Sequence, residues 1–416
     1  MQFGVAILTG ILLAKSGLPT ELISVYEAWM FLASLFCFFW VVGGQNTLLQ
    51  LYPKLDEQQK KSALFNVFLL FTLAGVASGG ILFFTQHLVV EELTNFSELP
   101  WLSLLALFIA INSPTFLIQI FYLLLKKYRA IVVFGAVSFS LQLAVVAVPV
   151  YLGMTLREVM YGLLSWAIFK FGWAVVLLAR HARWHWDGSF LKTYWPLVVP
   201  LLLLAFIGKG SEYVSGLVVS MLFDDEKAFA VFRYGAREFP LAVLMVGALA
   251  TSLLPEVSEN QTAGLQRIKD TTRRLSHWLY PMSMASMVAA PLLFPVIFNP
   301  DFKESARIFN IFTLLLSSRI LLPQVVTMSF QKNYVLTFSA VVELVVLAAL
   351  SGWWGQQFGL EGVAYAAAAA FMVDRAILIG YNWRVLKIAP GAYVDWRTYL
   401  IYNVLLVAMF LVSLKI

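Results

Sequence analysis

Arg233 and Arg237 stand four residues apart in Phe232-Arg233-Tyr234-Gly235-Ala236-Arg237-Glu238, a spacing that puts both on one face if the stretch is helical. Two guanidinium forks on one face suit a phosphate or diphosphate, whose oxygens arginine binds in pairs. The alternative is structural: both reach to a membrane interface, or pair with Glu238 and the run Asp224-Asp225-Glu226. Lys209 and Glu212, in Gly208-Lys209-Gly210-Ser211-Glu212, also share a face, as a buried bridge or as part of a water-filled substrate or ion cavity. Lys170 and Arg319 either add positive charge to such a cavity or are structural. Glu343 is either a proton site or a hydrogen-bonded structural acid. Asp374 and Arg375 are adjacent and cannot face each other on one helix, so each is expected to find a partner elsewhere, as a strut between helices.

Other chemistry is missing from the pattern. There is no phosphate-binding glycine loop, no Gly-x-Ser-x-Gly and no His-Glu-x-x-His. His181 and His185 have helical spacing but sit in a basic loop without a carboxylate scaffold, and the single Cys37 excludes a disulfide within the chain. We therefore expect no enzyme activity, no metal and no cofactor.

The charges are costly because of where they sit. Hydrophobic residues make up 61% of the 416 residues and charged residues only 12%, with a mean hydropathy of +0.81. A soluble domain carries about 25% charged residues, so the excess apolar surface here requires lipid. A spanning helix needs roughly 20 mainly apolar residues. Thirteen segments meet or approach that: 3–14, 26–50, 62–85, 101–125, 130–151, 157–179, 194–222, 228–254, 275–298, 304–330, 333–354, 360–383 and 398–415. The first is too short to span alone, and we expect a missing stretch of helix. An ionisable group at the centre of a span costs about 2.5–3.5 kcal/mol on insertion scales, so each one named above is a functional candidate by default.

Basic residues orient the segments. Alternate loops carry Lys54, Lys60 and Lys61, then Lys126, Lys127 and Arg129, then Arg180, Arg183 and Lys192, then Arg267, Lys269, Arg273 and Arg274, then Lys332, then Arg384, Lys387 and Arg397. The opposite set is poor in Lys and Arg and holds Glu91, Glu92 and Glu98 as well as Asp224-Asp225-Glu226. The positive-inside rule makes the N-terminus cytoplasmic. The net charge of +6 is spread over these loops, which argues against nucleic acid as a partner. Asn46, Asn112, Gln119 and Gln142 are expected to bond across helices, and Trp184 and Trp186 to sit in an interfacial belt.

A faint repeat links the halves. Ile23-Ser24-Val25-Tyr26 parallels Phe229-Ala230-Val231-Phe232, each after an outer loop containing acidic residues and six spans apart. The order of further motifs carries a family resemblance: Ser211-Glu212-Tyr213-Val214-Ser215-Gly216, Phe229 to Tyr234, Leu253-Leu254-Pro255-Glu256-Val257-Ser258, Leu293-Phe294-Pro295-Val296-Ile297-Phe298 followed by Phe302 to Ala306, and Phe358-Gly359-Leu360-Glu361-Gly362-Val363-Ala364-Tyr365-Ala366. In this the chain resembles the polysaccharide transporter branch of the multidrug/oligosaccharidyl-lipid/polysaccharide exporter superfamily, which includes Wzx-type O-antigen flippases. It departs from that family in having Glu212 where many members have Asp, with Lys209 beside it, and in its thirteen segments.

The resemblance implies an all-α polytopic protein of 12–14 transmembrane helices, two six-helix bundles in a V around a central cavity. The bundles would be 1–190 and 191–390, with an extra helix in 391–416. It also implies translocation of a polyprenyl-diphosphate-linked oligosaccharide across the bacterial cytoplasmic membrane by alternating access, for surface polysaccharide biosynthesis. Arg233, Arg237, Lys209, Lys170 and Arg319 would neutralise the diphosphate, and Glu212 or Glu343 would couple transport to protons or sodium. Partners would be membrane lipids, glycosyltransferases or a polysaccharide polymerase. A multidrug exporter of the same fold is the close rival, though it would favour an acidic cavity. A glycan polymerase or acyltransferase would usually need a large outer loop or an intramembrane histidine.

Overall fold

The computed structural model describes residues 2–93 and 99–415, and every element among them is helical. In chain order the helices are α1 (Gln2–Lys15), α2 (Thr20–Leu35), α3 (Phe38–Leu51), α4 (Glu57–Leu93), α5 (Leu102–Asn112), α6 (Leu117–Leu124), α7 (Tyr128–Tyr151), α8 (Leu156–His181) and α9 (Gly188–Leu222). They continue with α10 (Glu226–Gly235), α11 (Pro240–Glu259), α12 (Gln261–Ile297), α13 (Lys303–Thr313), α14 (Leu316–Arg319), α15 (Pro323–Ser329), α16 (Asn333–Arg384) and α17 (Trp396–Ser413). Glu98 lies outside the described residues, as do the side chains of Glu91, Glu92 and Lys209.

Each of the thirteen apolar segments has a helical counterpart, but several are broken. Among the described residues, nine helices are long and apolar enough to cross a membrane, and up to eleven spans result if two bent pairs each count as one. The first bent pair is α2 with the stretch from α3 to Lys54, at 44°. The second joins Pro300–Arg319 to α15, at 42°, where Pro323 follows a left-handed Leu322. The segment 228–254 is also not one helix. Its backbone leaves helical geometry over 236–239, and α11 begins at Pro240. Proline lacks the amide hydrogen that would continue α10, and it pushes the residue before it out of the helical region.

α16 covers two of the expected segments. At 52 residues it is too long for one crossing, and at Gly359 the backbone takes φ 64°, ψ −148°. Only glycine readily occupies that region, so Gly359 is where 333–354 and 360–383 part company.

Contacts cluster the chain into two units. The first is 1–209 with 224–227, and the second is 210–223 with 228–416. In the first unit α4 packs on α5, α5 on α8, and α7 on both α8 and α1. Trp29 is fully buried there, its indole N–H donating to the Pro100 carbonyl at 3.0 Å. In the second unit α12 packs against α11, α13 and α17, and α16 against α13 and α15. Gly235 lets α10 approach α13 closely, because a Cβ there would lie 2.5 Å from the Ser305 carbonyl oxygen. Ser305 Oγ also donates to the Val231 carbonyl at 2.7 Å, and Tyr234 stacks on Phe302 at 4.7 Å between ring centroids.

Large apolar side chains also point away from the protein. Phe84 is 79% exposed and Leu244 65%. Patches of this kind are unsuited to water and suited to hydrocarbon.

Candidate functional site

The second unit gathers most of the candidate charges. Arg319, at the end of α14, donates from Nε and Nη2 to the two carboxylate oxygens of Glu238, which lies in the 236–239 break. A two-point contact of this kind fixes direction as well as charge. The Arg319 guanidinium also lies over the Phe371 ring at 4.7 Å, and that of Arg375 lies over the same ring at 4.5 Å. Arg375 donates from Nη1 to Gln324 Oε1 at 2.9 Å, bridging α16 to α15. The same nitrogen is 3.3 Å from Asp374 Oδ2, so the adjacent pair does meet. Our expectation that neighbours on a helix cannot face each other overlooked the length of arginine, which can curl back along its own helix. Glu343 accepts from Ser211 Oγ at 2.6 Å, joining α16 to the second-unit part of α9. Asp374, Arg319 and Arg375 are all near enough to Glu343 to act on it electrostatically.

Arg233 and Arg237 are separated by the end of α10. Arg233 is in its last turn, over the Phe229 ring at 5.7 Å. Arg237 is already in the non-helical break, over the Tyr234 ring at 5.0 Å. Its Nη1 is buried with no hydrogen-bond partner. The expected shared helix face therefore does not exist. What remains is a half-buried guanidinium on irregular backbone, with one donor unused, beside the Glu238 that Arg319 grips. Glu212 is exposed on α9.

Lys170 belongs to the first unit. It is 5% exposed, its Nζ donates to Asn112 Oδ1, and it lies 3.3 Å from the centroid of the Trp166 ring. An amide oxygen and an aromatic face together solvate a buried ammonium without a counter-charge. Asn112 thus makes the cross-helix bond expected of it, whereas Asn46 is exposed.

Some residues that organise the units escaped the sequence reading. Asn66 is fully buried, donates to the His185 carbonyl at 2.9 Å and accepts from the Asp187 amide at 3.1 Å. Asn382 donates to the Pro323 carbonyl at 2.9 Å and accepts from Thr327 Oγ1 at 2.9 Å. Each is a polar residue within an apolar stretch, the only sequence signal there was. From sequence Glu238 is a partner only for its neighbours Arg233 and Arg237.

The all-helical fold is one that solved membrane transporters share. The chain is similar to "Lipid II flippase MurJ, inward closed conformation", at 17% identity and a TM-score of 0.75, covering 98% of this chain and 89% of that one. It is also similar to an inward-facing multidrug resistance MATE family transporter, at 13% identity and a TM-score of 0.69, covering 94% and 95%. A third is the Vibrio cholerae MATE transporter VcmN in a mutant form, at 12% identity and a TM-score of 0.57, covering 93% and 95%. No curated protein sequence matches significantly. The chain belongs to the polysaccharide biosynthesis protein family, whose model matches residues 25–307.

Proposed function

We propose that this protein is a flippase that moves a polyprenyl-diphosphate-linked oligosaccharide across the bacterial cytoplasmic membrane by alternating access. The observation that carries the reading is the buried, unpartnered Nη1 of Arg237. An unsatisfied guanidinium donor in an apolar setting costs free energy that an anionic ligand returns, and phosphate oxygens match its geometry. Arg233, in the last turn of α10, supplies a second cation. Arg319 has a different part from the one first expected. Its charge is matched by Glu238, so it anchors the 236–239 stretch that presents Arg237. Glu343, held by Ser211, and the exposed Glu212 are the groups through which protons or sodium would couple to movement. Membership of a polysaccharide biosynthesis family supports a glycan cargo.

The test is translocation of a fluorescent polyprenyl-diphosphate oligosaccharide by proteoliposomes. Losing one charge-assisted hydrogen bond to diphosphate is worth about 1.5–3 kcal/mol, so Arg237→Ala should lower transport on the order of 10- to 100-fold, with partial recovery in Arg237→Lys. Equal transport by wild type and Arg237→Ala would remove the arginine from the mechanism. Cation-coupled export of cationic drugs, with none of the glycolipid, would replace this reading with the multidrug one.

A further inference from the structure

The first unit carries a groove of about 690 Å³ along α8, walled by α6 and α7. Ile168, Phe169, Gly172, Trp173 and Val176 succeed one another at helical spacing on one face of α8, and Arg180 continues the same face. From Ile168 to Arg180 that face is roughly 18 Å long at 1.5 Å per residue, a little more than one leaflet of a hydrocarbon core about 30 Å thick. The groove is therefore apolar over the depth of one leaflet and charged at its end.

That end is basic. Lys127, Arg180 and His181 line it, with no carboxylate in the lining. His181 Nδ1 lies 3.0 Å from the Leu177 carbonyl, which makes that nitrogen the donor. Its Nε2 can then accept from Lys127 Nζ at 2.5 Å, leaving the Lys127 charge unmatched within the groove. The apolar wall is held in place: Trp173 Nε1 donates to the Tyr122 hydroxyl at 2.8 Å, and its ring meets Phe134 edge-on at 5.5 Å. Ile168 and Val176 remain more than half exposed along this wall.

We infer that this groove binds an anionic phospholipid of the leaflet at the basic end of the unit, its phosphate on Lys127 and Arg180 and one acyl chain along Ile168, Trp173 and Val176. Charge complementarity selects the occupant. Clustered cations at a membrane surface attract anionic headgroups, whereas a zwitterionic headgroup would bring a quaternary ammonium to a site with no acid to receive it. This inference is independent of the cargo and of Arg237.

Tryptophan quenching by brominated acyl chains tests it on the full chain in mixed phospholipid nanodiscs. Brominated phosphatidylglycerol should quench more than brominated phosphatidylcholine at equal mole fraction. Trp173→Phe should abolish the excess, and raised salt should shrink it. Removing both charges in Lys127→Gln/Arg180→Gln should weaken the preference about tenfold or more. Gly172→Leu gives a second route, since a Cβ there meets no atom within 4 Å and a leucine would occupy the groove without touching a charge. It too should remove the excess. Equal quenching by the two lipids would overturn the inference, as would an excess that survives Trp173→Phe or Gly172→Leu. Displacement of phosphatidylglycerol by a polyprenyl diphosphate at equimolar concentration would reassign the groove to the cargo.

Discussion

Arg319 grips Glu238 through two guanidinium nitrogens, and the two residues are 81 positions apart in the chain. The contact joins the end of α14 to the irregular stretch between α10 and α11. Both side chains are largely shielded, at 26% and 21% exposure.

Breaking this pair from either side should be costly. Removing one partner of a buried ion pair typically loses about 3–5 kcal/mol, and partial exposure here places the expected loss toward the lower end. Arg319→Ala and Glu238→Ala should each lower the thermal unfolding midpoint in detergent. The exchange Arg319→Glu/Glu238→Arg should recover part of it, whereas equal loss in the exchange and the single variants would mean that packing, not charge, carries the contact.

Asn66 should behave as a clamp. Its side chain is the partner of both the His185 carbonyl and the Asp187 amide, so Asn66→Ala leaves two polar backbone groups without it, at about 1–3 kcal/mol each if they stay buried. We expect faster proteolysis within 182–187 before any global unfolding. Unchanged cleavage would show that water replaces the amide.

Asp187 caps α9 by accepting from the Ser189 and Phe190 amides and from the Ser189 hydroxyl. Those bonds favour the ionised carboxylate and hold its pKa below the usual aspartate value, the Ser189 side-chain bond contributing most. Since the folded pKa is depressed, the stabilisation is complete above the ordinary value and is lost as pH falls through the depressed one. Asp187→Ala should cost about 1 kcal/mol at neutral pH, and the gap to wild type should narrow on acidification. A gap that stays constant with pH would exclude the carboxylate as its source.

Gly359 should resist substitution. Its φ of +64° with ψ of −148° is open to glycine alone, so Gly359→Ala is expected to cost about 1–3 kcal/mol although no neighbouring atom obstructs a Cβ. Gly235→Val tests the other limit. Its backbone is helical, but the Cβ would strike the Ser305 carbonyl and Ile308, so it should unseat α10 from α13. The two are separated by expression and monodispersity, with Gly235→Val the more severe.

The sequence by itself determined that the chain is helical, membrane-embedded and divided into thirteen apolar segments, and it marked the charges. Lipid imposes that legibility. With no water to satisfy the backbone, each crossing must be a run of apolar helix, and a charge within it stands out. Even the breaks left traces, at Pro240, Pro323 and Gly359. Only the tertiary structure decided which partners the described charges take. Whether Arg319 is free or neutralised depends on Glu238 reaching it from another helix, and whether Arg233 and Arg237 share a face depends on where α10 stops. Lys170 found an amide and an indole where a carboxylate was equally compatible with the sequence. Hydropathy is a property of each residue in its own window, whereas a charge's partner is set by which helices meet, and that information is non-local.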